Sequence, residues 1–261
     1  MTLSEIDLKT LNNPIEEALL IPFKNKKKKS RKERRHELLN EHKFSLNLKH
    51  VDPLTENQKT VFKCWDEGYN LFLHGLAGTG KSYISLFLAL RELQEHHTRY
   101  KHVLIVRSAV PTRDIGFLPG TLKEKTKIYE LPYQIICNEL YGRGDAYEIL
   151  KNKQAVEFTT TSFIRGNTFH DTIVIVDETN NMTFHELDSI ITRLGDNCRI
   201  IFCGDYRQSD LYNNEKNGIH TFIKVIDKMK DFAHIEFEIN DIVRSGIVKE
   251  YIIAKHKLGI T

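Results

Sequence analysis

Gly75-Leu76-Ala77-Gly78-Thr79-Gly80-Lys81-Ser82 decides the reading of this 261-residue chain. It fits the pattern G-x-x-x-x-G-K-[ST] at every fixed position. The apolar run Leu71-Phe72-Leu73 leads into it, and a helix-period run from Tyr83 to Leu93 leads out. Strand, glycine loop and helix form the context that such a loop needs to cradle phosphate. The glycines let the backbone curl so that successive N–H groups face one anion. The helix N-terminus adds partial positive charge. In this pattern Lys81 reaches the β- and γ-phosphates and Ser82 holds Mg²⁺.

About a hundred residues on, Thr172-Ile173-Val174-Ile175-Val176-Asp177-Glu178 is an apolar, β-branched run ending in two acids. Such a run reads as a strand buried on both faces, as in a parallel sheet. Asp177 at its C-terminal end belongs beside the phosphate loop, where it can join the Mg²⁺ shell through water. Glu178 is placed to orient or deprotonate an attacking water, which favours hydrolysis over transfer to a small acceptor. A third short strand, Arg199 to Gly204, runs into Asp205-Tyr206-Arg207-Gln208. The Gln208 amide suits a sensor of the γ-phosphate.

Predicted strands at 70–74, 102–107, 155–160, 171–177, 199–204 and 234–239 alternate with predicted helices at 55–67, 81–95, 123–142, 183–193, 217–230 and 244–257. That order indicates an α/β fold with a mainly parallel sheet flanked by helices. Two boundaries follow: residues 1–45 as an N-terminal extension, partly helical or disordered, and 46–261 as the folded domain.

The net charge of +3 hides an asymmetry. Residues 24–35, which include Lys26, Lys27, Lys28, Lys29 and Arg31, hold nine bases and one acid, or +8. The remainder carries 3 − 8 = −5. A basic arm on a mildly acidic body points to nucleic acid, read by charge rather than by sequence. No apolar run approaches the ~18 residues of a membrane span, and the N-terminus lacks a secretory pattern. The expectation is a cytoplasmic protein without a membrane partner. The four cysteines show no C-x-x-C spacing and read as free thiols. The 12 histidines are scattered, so no metal is expected beyond Mg²⁺.

Several signatures in order resemble the PhoH-like family, whose core looks like the first motor domain of superfamily 1 helicases. They are Leu54-Thr55-Glu56-Asn57-Gln58, the Gly75–Ser82 loop, Val106-Arg107-Ser108-Ala109-Val110-Pro111, Gly116-Phe117-Leu118-Pro119-Gly120, Phe163 to Phe169, Val176 to Asn181, Gly204 to Leu211, and Asn240 to Ser245. The resemblance implies a RecA-like P-loop NTPase that uses ATP and Mg²⁺. It makes Gln58 the glutamine that recognises adenine, and Gly75, Leu76, Ala77, Gly78, Thr79, Gly80, Lys81, Ser82 and Tyr83 the nucleotide-binding run. Val110, Pro111, Phe117 and Pro119 match a segment that faces nucleic acid, where Phe117 could stack on a base. Arg244 matches an arginine near the γ-phosphate, and Arg165 and Arg193 are candidate fingers from a neighbouring subunit. Tyr212 stands where the family usually has proline, and Thr179 and Ser209 replace commoner residues.

Helicases of that superfamily close ATP between two motor domains, and this chain has length for one. The completing arginine is therefore expected from another subunit of a homo-oligomer, with a hexameric ring implied by the resemblance. The reading is a Mg²⁺-dependent ATP hydrolase, helicase-like, acting as a ring-forming motor on single-stranded RNA or DNA, with RNA favoured. The alternative is a slow ATP-gated RNA-binding or scaffolding protein that unwinds nothing. A small-molecule kinase fits the adjacent Asp177-Glu178 less well.

Overall fold

Strand β4, Thr172–Asp177, is buried along its whole length, as a run of β-branched residues in the middle of a parallel sheet must be. In the computed structural model it lies between β2 (His102–Arg107) and β5 (Arg199–Gly204). Residues 46–95, 97–108, 122–164, 166, 168–205 and 213–258 are described, with side chains from 127 and from 218 in the two stretches that open on helices. The predicted elements within residues 1–45 fall outside them.

The sheet has six strands, all parallel, in the order β3-β2-β4-β5-β1-β6. Here β1 is Asn70–Gly75, β3 is Val156–Thr160 and β6 is Phe232–Phe237. Alternation along each strand sends successive side chains to opposite faces. Leu71, Leu73, Ile173, Ile175, Ile201 and Cys203 enter one apolar layer with α1 (Glu56–Asp66), α2 (Lys81–Gln94), α3 (Leu122–Tyr141) and α4 (Ala146–Asn152). Phe72, Val174, Val176, Ile200 and Phe202 enter the other, with α5 (Phe184–Ile191) and α6 (Asn213–Ile226). In that second layer Phe72 and Phe202 have ring centroids 5.9 Å apart, and Phe222 meets Phe202 edge-on at 5.1 Å. The last helix, α7 (Gly246–Lys257), contributes no buried residue.

This is the expected α/β architecture, a RecA-like P-loop fold: the phosphate loop follows β1, and β5 separates β1 from the acid-bearing β4. Two elements are displaced from their sequence-based bounds by two residues or more at both ends, and a third was not expected. Strand β6 begins two residues early, at Phe232, because Asn70 N donates to Asp231 O and the ladder with β1 starts there. It stops at Phe237, where Glu238 and Asp241 cap a 3₁₀ turn over Ile239–Asp241. Helix α6 runs over 213–226 instead of 217–230. Helix α4 had no counterpart among the predicted elements, because seven residues give too short a stretch for a helical period. Of the four thiols, all free, Cys137 and Cys203 are buried while Cys64 and Cys198 are half-buried.

At the far end of the sheet from the loop, Arg199 is 6% exposed. Its guanidinium lies 3.4 Å from the Trp65 ring centroid, and Nη2 donates to the carbonyls of Trp65 and Tyr69 at 2.8 and 2.7 Å. Glu92 stands 3.6 Å from Nη1. This cation is held by an aromatic face, two carbonyls and a carboxylate, which is how a buried charge becomes tolerable.

Gly75 closes β1 at φ 115°, and a Cβ there would stand 2.1 Å from the Phe237 carbonyl oxygen. Gly68, at φ 93°, has nothing within 4 Å of that position. Gly68→Ala therefore carries backbone strain alone and is expected to cost about 1 kcal/mol. Gly75→Ala adds a clash with sheet backbone and is expected to cost at least about 3 kcal/mol. Urea denaturation of the two variants measures the difference; equal losses would contradict the close approach of β1 and β6.

Candidate functional site

Ligands of open parallel sheets sit beyond the C-terminal ends of the strands, where the chain reverses its course across the sheet. Here the ends of β1, β4 and β5 and the start of α2 surround a cavity of about 950 Å³, wide enough for a nucleotide. The loop over residues 75–80 forms its floor, with Gly75, Gly78 and Gly80 at φ 115°, 75° and 85°. Those left-handed positions turn the loop's peptide groups around one centre.

Lys81, the first residue of α2, folds back over this loop. Its Nζ donates to Gly75 O at 2.9 Å, to Leu76 O at 2.8 Å and to Thr79 Oγ1 at 3.3 Å. Burial lowers its pKa, and the nearby acids Asp205, Asp177 and Glu178 oppose that fall. The ammonium is thus held at the mouth of the cradle by neutral oxygens that an anion can replace. The next residue, Ser82, donates from Oγ to Asp177 Oδ1 at 3.0 Å.

Asp177 is 7% exposed and carries two further donors. The Glu178 backbone N–H reaches Oδ1 at 3.1 Å, and the Tyr133 hydroxyl reaches Oδ2 at 2.9 Å. A hydroxyl beside a carboxylate is a hard-oxygen pair that fits Mg²⁺, which takes one or two protein ligands and completes its shell with phosphate and water. Among the described residues no group of three or more His, Cys, Asp and Glu could hold a metal. The residues present therefore suit an ion that depends on phosphate oxygens, and Ser82 and Asp177 are the ones that would hold it.

Glu178 adopts a left-handed backbone, φ 55° and ψ 44°, at the turn out of β4. Burial raises its pKa first, the Asp177 charge adds to that, and Arg107 pulls it down. The Arg107 Nη2 lies 3.7 Å from Glu178 Oε1. The following residue, Thr179, donates from Oγ1 to Cys203 O at 3.0 Å, tying the turn after β4 to the end of β5. This threonine, a departure from the usual family residue, thus acts as a tie between the two strands.

Gln58 sits on α1, whose N-cap is Thr55. It is 3% exposed, its Nε2 donates to Thr79 O at 3.0 Å, and its Oε1 accepts from Leu54 N at 2.7 Å. The amide is a strut between the phosphate loop and the segment ahead of α1. A primary amide can make four hydrogen bonds, so these two leave one donor hydrogen and one lone pair. Arg244 is brought to the same cleft: its Cγ is 2.9 Å from where a Cβ on Gly78 would stand, and Val243 N donates to Gly78 O at 3.1 Å. Tyr83 lines the cleft beside Glu139; burial, then that carboxylate, raises its pKa.

Arg193 is not among the residues lining this cleft; its Nη1 donates to Ser189 O at 2.5 Å, at the end of α5. Gln208, Arg165, Val110, Pro111, Phe117, Pro119 and the basic run Lys26–Lys29 with Arg31 lie outside the described residues. Tyr133, Arg107 and Asp205 line the cleft with no role assigned from sequence. Asp205 directly follows Gly204 at the end of β5. Arg107 ends a strand inside a quoted family segment. Tyr133 gives no signal, because a tyrosine on an amphipathic helix reads as core.

The double tether on Gln58 generates a direct prediction. Gln58→Ala leaves Leu54 N–H and Thr79 C=O without these partners and is expected to cost about 1–3 kcal/mol of stability. Urea denaturation measures it; an unchanged midpoint would show that the strut holds nothing.

Comparison with known proteins follows this geometry. The PhoH-like protein of Mycobacterium leprae (strain TN) is 31% identical over 220 residues, covering 81% of this chain and 62% of that protein. The PhoH-like protein of Bacillus subtilis (strain 168) is 33% identical over 184 residues, covering 70% and 57%. The chain thus spans about 60% of the length of these relatives. Among solved structures, the large terminase of a thermophilic bacteriophage, in complex with ADP, aligns over 78% of this chain and 50% of that one, at 11% identity and a TM-score of 0.45. The UvsW helicase of bacteriophage T4 aligns over 80% and 68%, at 19% identity and a TM-score of 0.39. The model of the PhoH-like protein family matches residues 50–255, and the chain belongs to that family.

Proposed function

We propose that this chain is a Mg²⁺-dependent ATP hydrolase that works on single-stranded nucleic acid, RNA ahead of DNA, as a homo-oligomeric ring with residues 46–261 as the ATPase domain. One observation carries the hydrolase reading: Lys81, Ser82, Asp177 and Glu178 converge at the rim of the glycine loop. Their functional groups match the charge pattern of a phosphoanhydride and an attacking water.

The chemistry follows from the groups present. The loop N–H groups and the α2 N-terminus bind the phosphate chain. The Lys81 ammonium leaves the carbonyls of Gly75 and Leu76 for the β- and γ-oxygens and offsets charge that grows there during transfer. Ser82 and Asp177 would hold Mg²⁺, which would supply positive charge against the phosphate oxygens. Glu178 orients a water in line with the γ-phosphorus and accepts its proton at a carboxylate oxygen. Gln208 is assigned the γ-phosphate contact, and Arg244, which already packs on the loop, a share of the transition-state charge. Gln58 is assigned the adenine edge, for which it retains one donor and one acceptor.

The order of motifs shared with helicase motor domains supports the strand-directed part of the proposal. The basic run at 24–35 supports it from charge. Arg193 and Arg165 are assigned as fingers reaching a neighbour's γ-phosphate, where one arginine in trans raises turnover by orders of magnitude.

Steady-state ATP hydrolysis with and without single-stranded RNA and DNA, at several protein concentrations, tests this reading. Turnover per subunit is expected to rise with concentration and with added strand, and to vanish in Lys81→Ala. Glu178→Gln is expected to bind ATP normally and to lose turnover at least about a hundredfold. Turnover indifferent to strand and concentration would remove the motor and ring. Tight ATP-dependent RNA binding without strand displacement would favour the scaffolding alternative.

The raised Glu178 pKa sets a sign for pH. The base form is lost as pH falls through that pKa, so the acid limb of kcat/KM, which reports the ligand-free site, is expected above the value of a free glutamate. A limb at or below the value of a free glutamate would exclude Glu178 as the base.

A further inference from the structure

Helix α3 carries Tyr129 and Tyr133 four residues apart, so both side chains leave the same face. Each is connected to a different member of the acid pair. Tyr133, 2% exposed, donates its hydroxyl to Asp177 Oδ2 at 2.9 Å. Its ring is kept in place by Phe158 of β3, with centroids 5.7 Å apart. Tyr129 presents its ring to the Arg107 guanidinium, 5.8 Å from the centroid. That guanidinium stands 3.7 Å from Glu178 Oε1. One helix face therefore reaches one carboxylate directly and the other through an arginine at the end of β2.

The phosphate chemistry of the loop does not itself call for this third element. Ser82 and the Glu178 N–H already occupy Asp177 Oδ1. Tyr133 adds a donor on the opposite oxygen, which fixes the plane of the carboxylate even when Ser82 turns to a metal ion. Arg107 adds a hold on Glu178, whose side chain is 41% exposed and also hydrogen-bonds the Asn180 side chain. Pro132 lies inside α3 and has no N–H for the carbonyl at 128. The turn between the two tyrosines is thus not closed by that ladder bond, so this turn can adjust without breaking the rest of the helix.

We propose that α3 is a clamp on the acid pair, in which Tyr133 and the Tyr129-backed Arg107 are positioning residues that hold Asp177 and Glu178 in register with each other. The proposal rests on the reading of the cleft as a site for Mg²⁺ and ATP. Partners behind a metal ligand typically change metal affinity or activity by about 10- to 100-fold. The clamp places Tyr133 on the metal side and Arg107 on the water side, so the two substitutions have different signatures.

The test uses the full chain and a fluorescent ATP analogue. Magnesium titration of analogue binding reads the Asp177 side without turnover. Tyr133→Phe is expected to raise the Mg²⁺ concentration for half-saturation about tenfold, with metal-free analogue affinity unchanged. Arg107→Gln is expected to lower kcat about tenfold at unchanged KM, and Arg107→Lys to recover most of it. Wild-type magnesium dependence in Tyr133→Phe, or an Arg107→Gln effect confined to KM, would overturn the clamp. So would a fall in melting temperature unaccompanied by either shift, because a purely structural tyrosine behaves that way. Were Tyr133→Phe to show the expected magnesium shift while the wild type hydrolyses nothing, the Tyr133–Asp177 half of the clamp would stand and the hydrolase reading would fall.

Discussion

The 3.0 Å hydrogen bond from Ser82 to Asp177 spans 95 residues of sequence and joins the two halves of the cleft. It links the first turn of α2 to the end of β4, with β5 lying between β1 and β4 in the sheet. The groups proposed to meet phosphate, the left-handed glycines and Lys81, lie on the α2 side, where the Gln58 strut meets the loop at Thr79. The proposed base lies on the β4 side: Glu178, its Arg107 partner and the turn pinned to β5 by Thr179. The bond couples two charge-complementary halves in the absence of ligand, and the Ser82 oxygen keeps a lone pair free for a hard cation while its proton points to Asp177.

The ligand-free site is satisfied by itself. Lys81 is bound to the carbonyls of its own loop, Asp177 has three donors, and the Gln58 amide bridges two backbone groups. A buried ammonium or carboxylate without partners would cost several kcal/mol, so a preformed phosphate site needs such internal stand-ins. Binding then exchanges hydrogen bonds instead of creating them. The cleft can therefore keep its shape when the nucleotide leaves. Arg244 adds a positive charge on the loop from β6's side of the sheet, already in van der Waals range of Gly78.

Much of this was legible in the sequence because it is local. The spacing of Gly75, Gly80, Lys81 and Ser82 specifies a backbone path within eight residues, and the unbroken run 172–176 can only be a central strand. The bounds of β2 and β5 agree with expectation residue for residue. What escaped is what depends on distant partners. Strand β6 starts at Phe232 because β1 supplies its ladder, and the weak alternation of Phe232–Phe237 does not announce that start. Helix α4 is too short to show a period. Tyr133 and Arg107 are site residues only because α3 packs across the ends of β3 and β4, a tertiary fact without a sequence signature.

The central claim is that Lys81, Ser82 and Asp177 are held in a ligand-ready arrangement that a magnesium nucleotide converts without rebuilding. A crystal structure with Mg²⁺ and a non-hydrolysable ATP analogue tests it most directly. The account predicts Lys81 Nζ moved from the Gly75 and Leu76 carbonyls to the β- and γ-oxygens. It also predicts the metal between Ser82 and the Asp177 side, with Tyr133 still on Oδ2 and the sheet unchanged. A nucleotide bound elsewhere, or a metal bound away from Ser82 and Asp177, would contradict it.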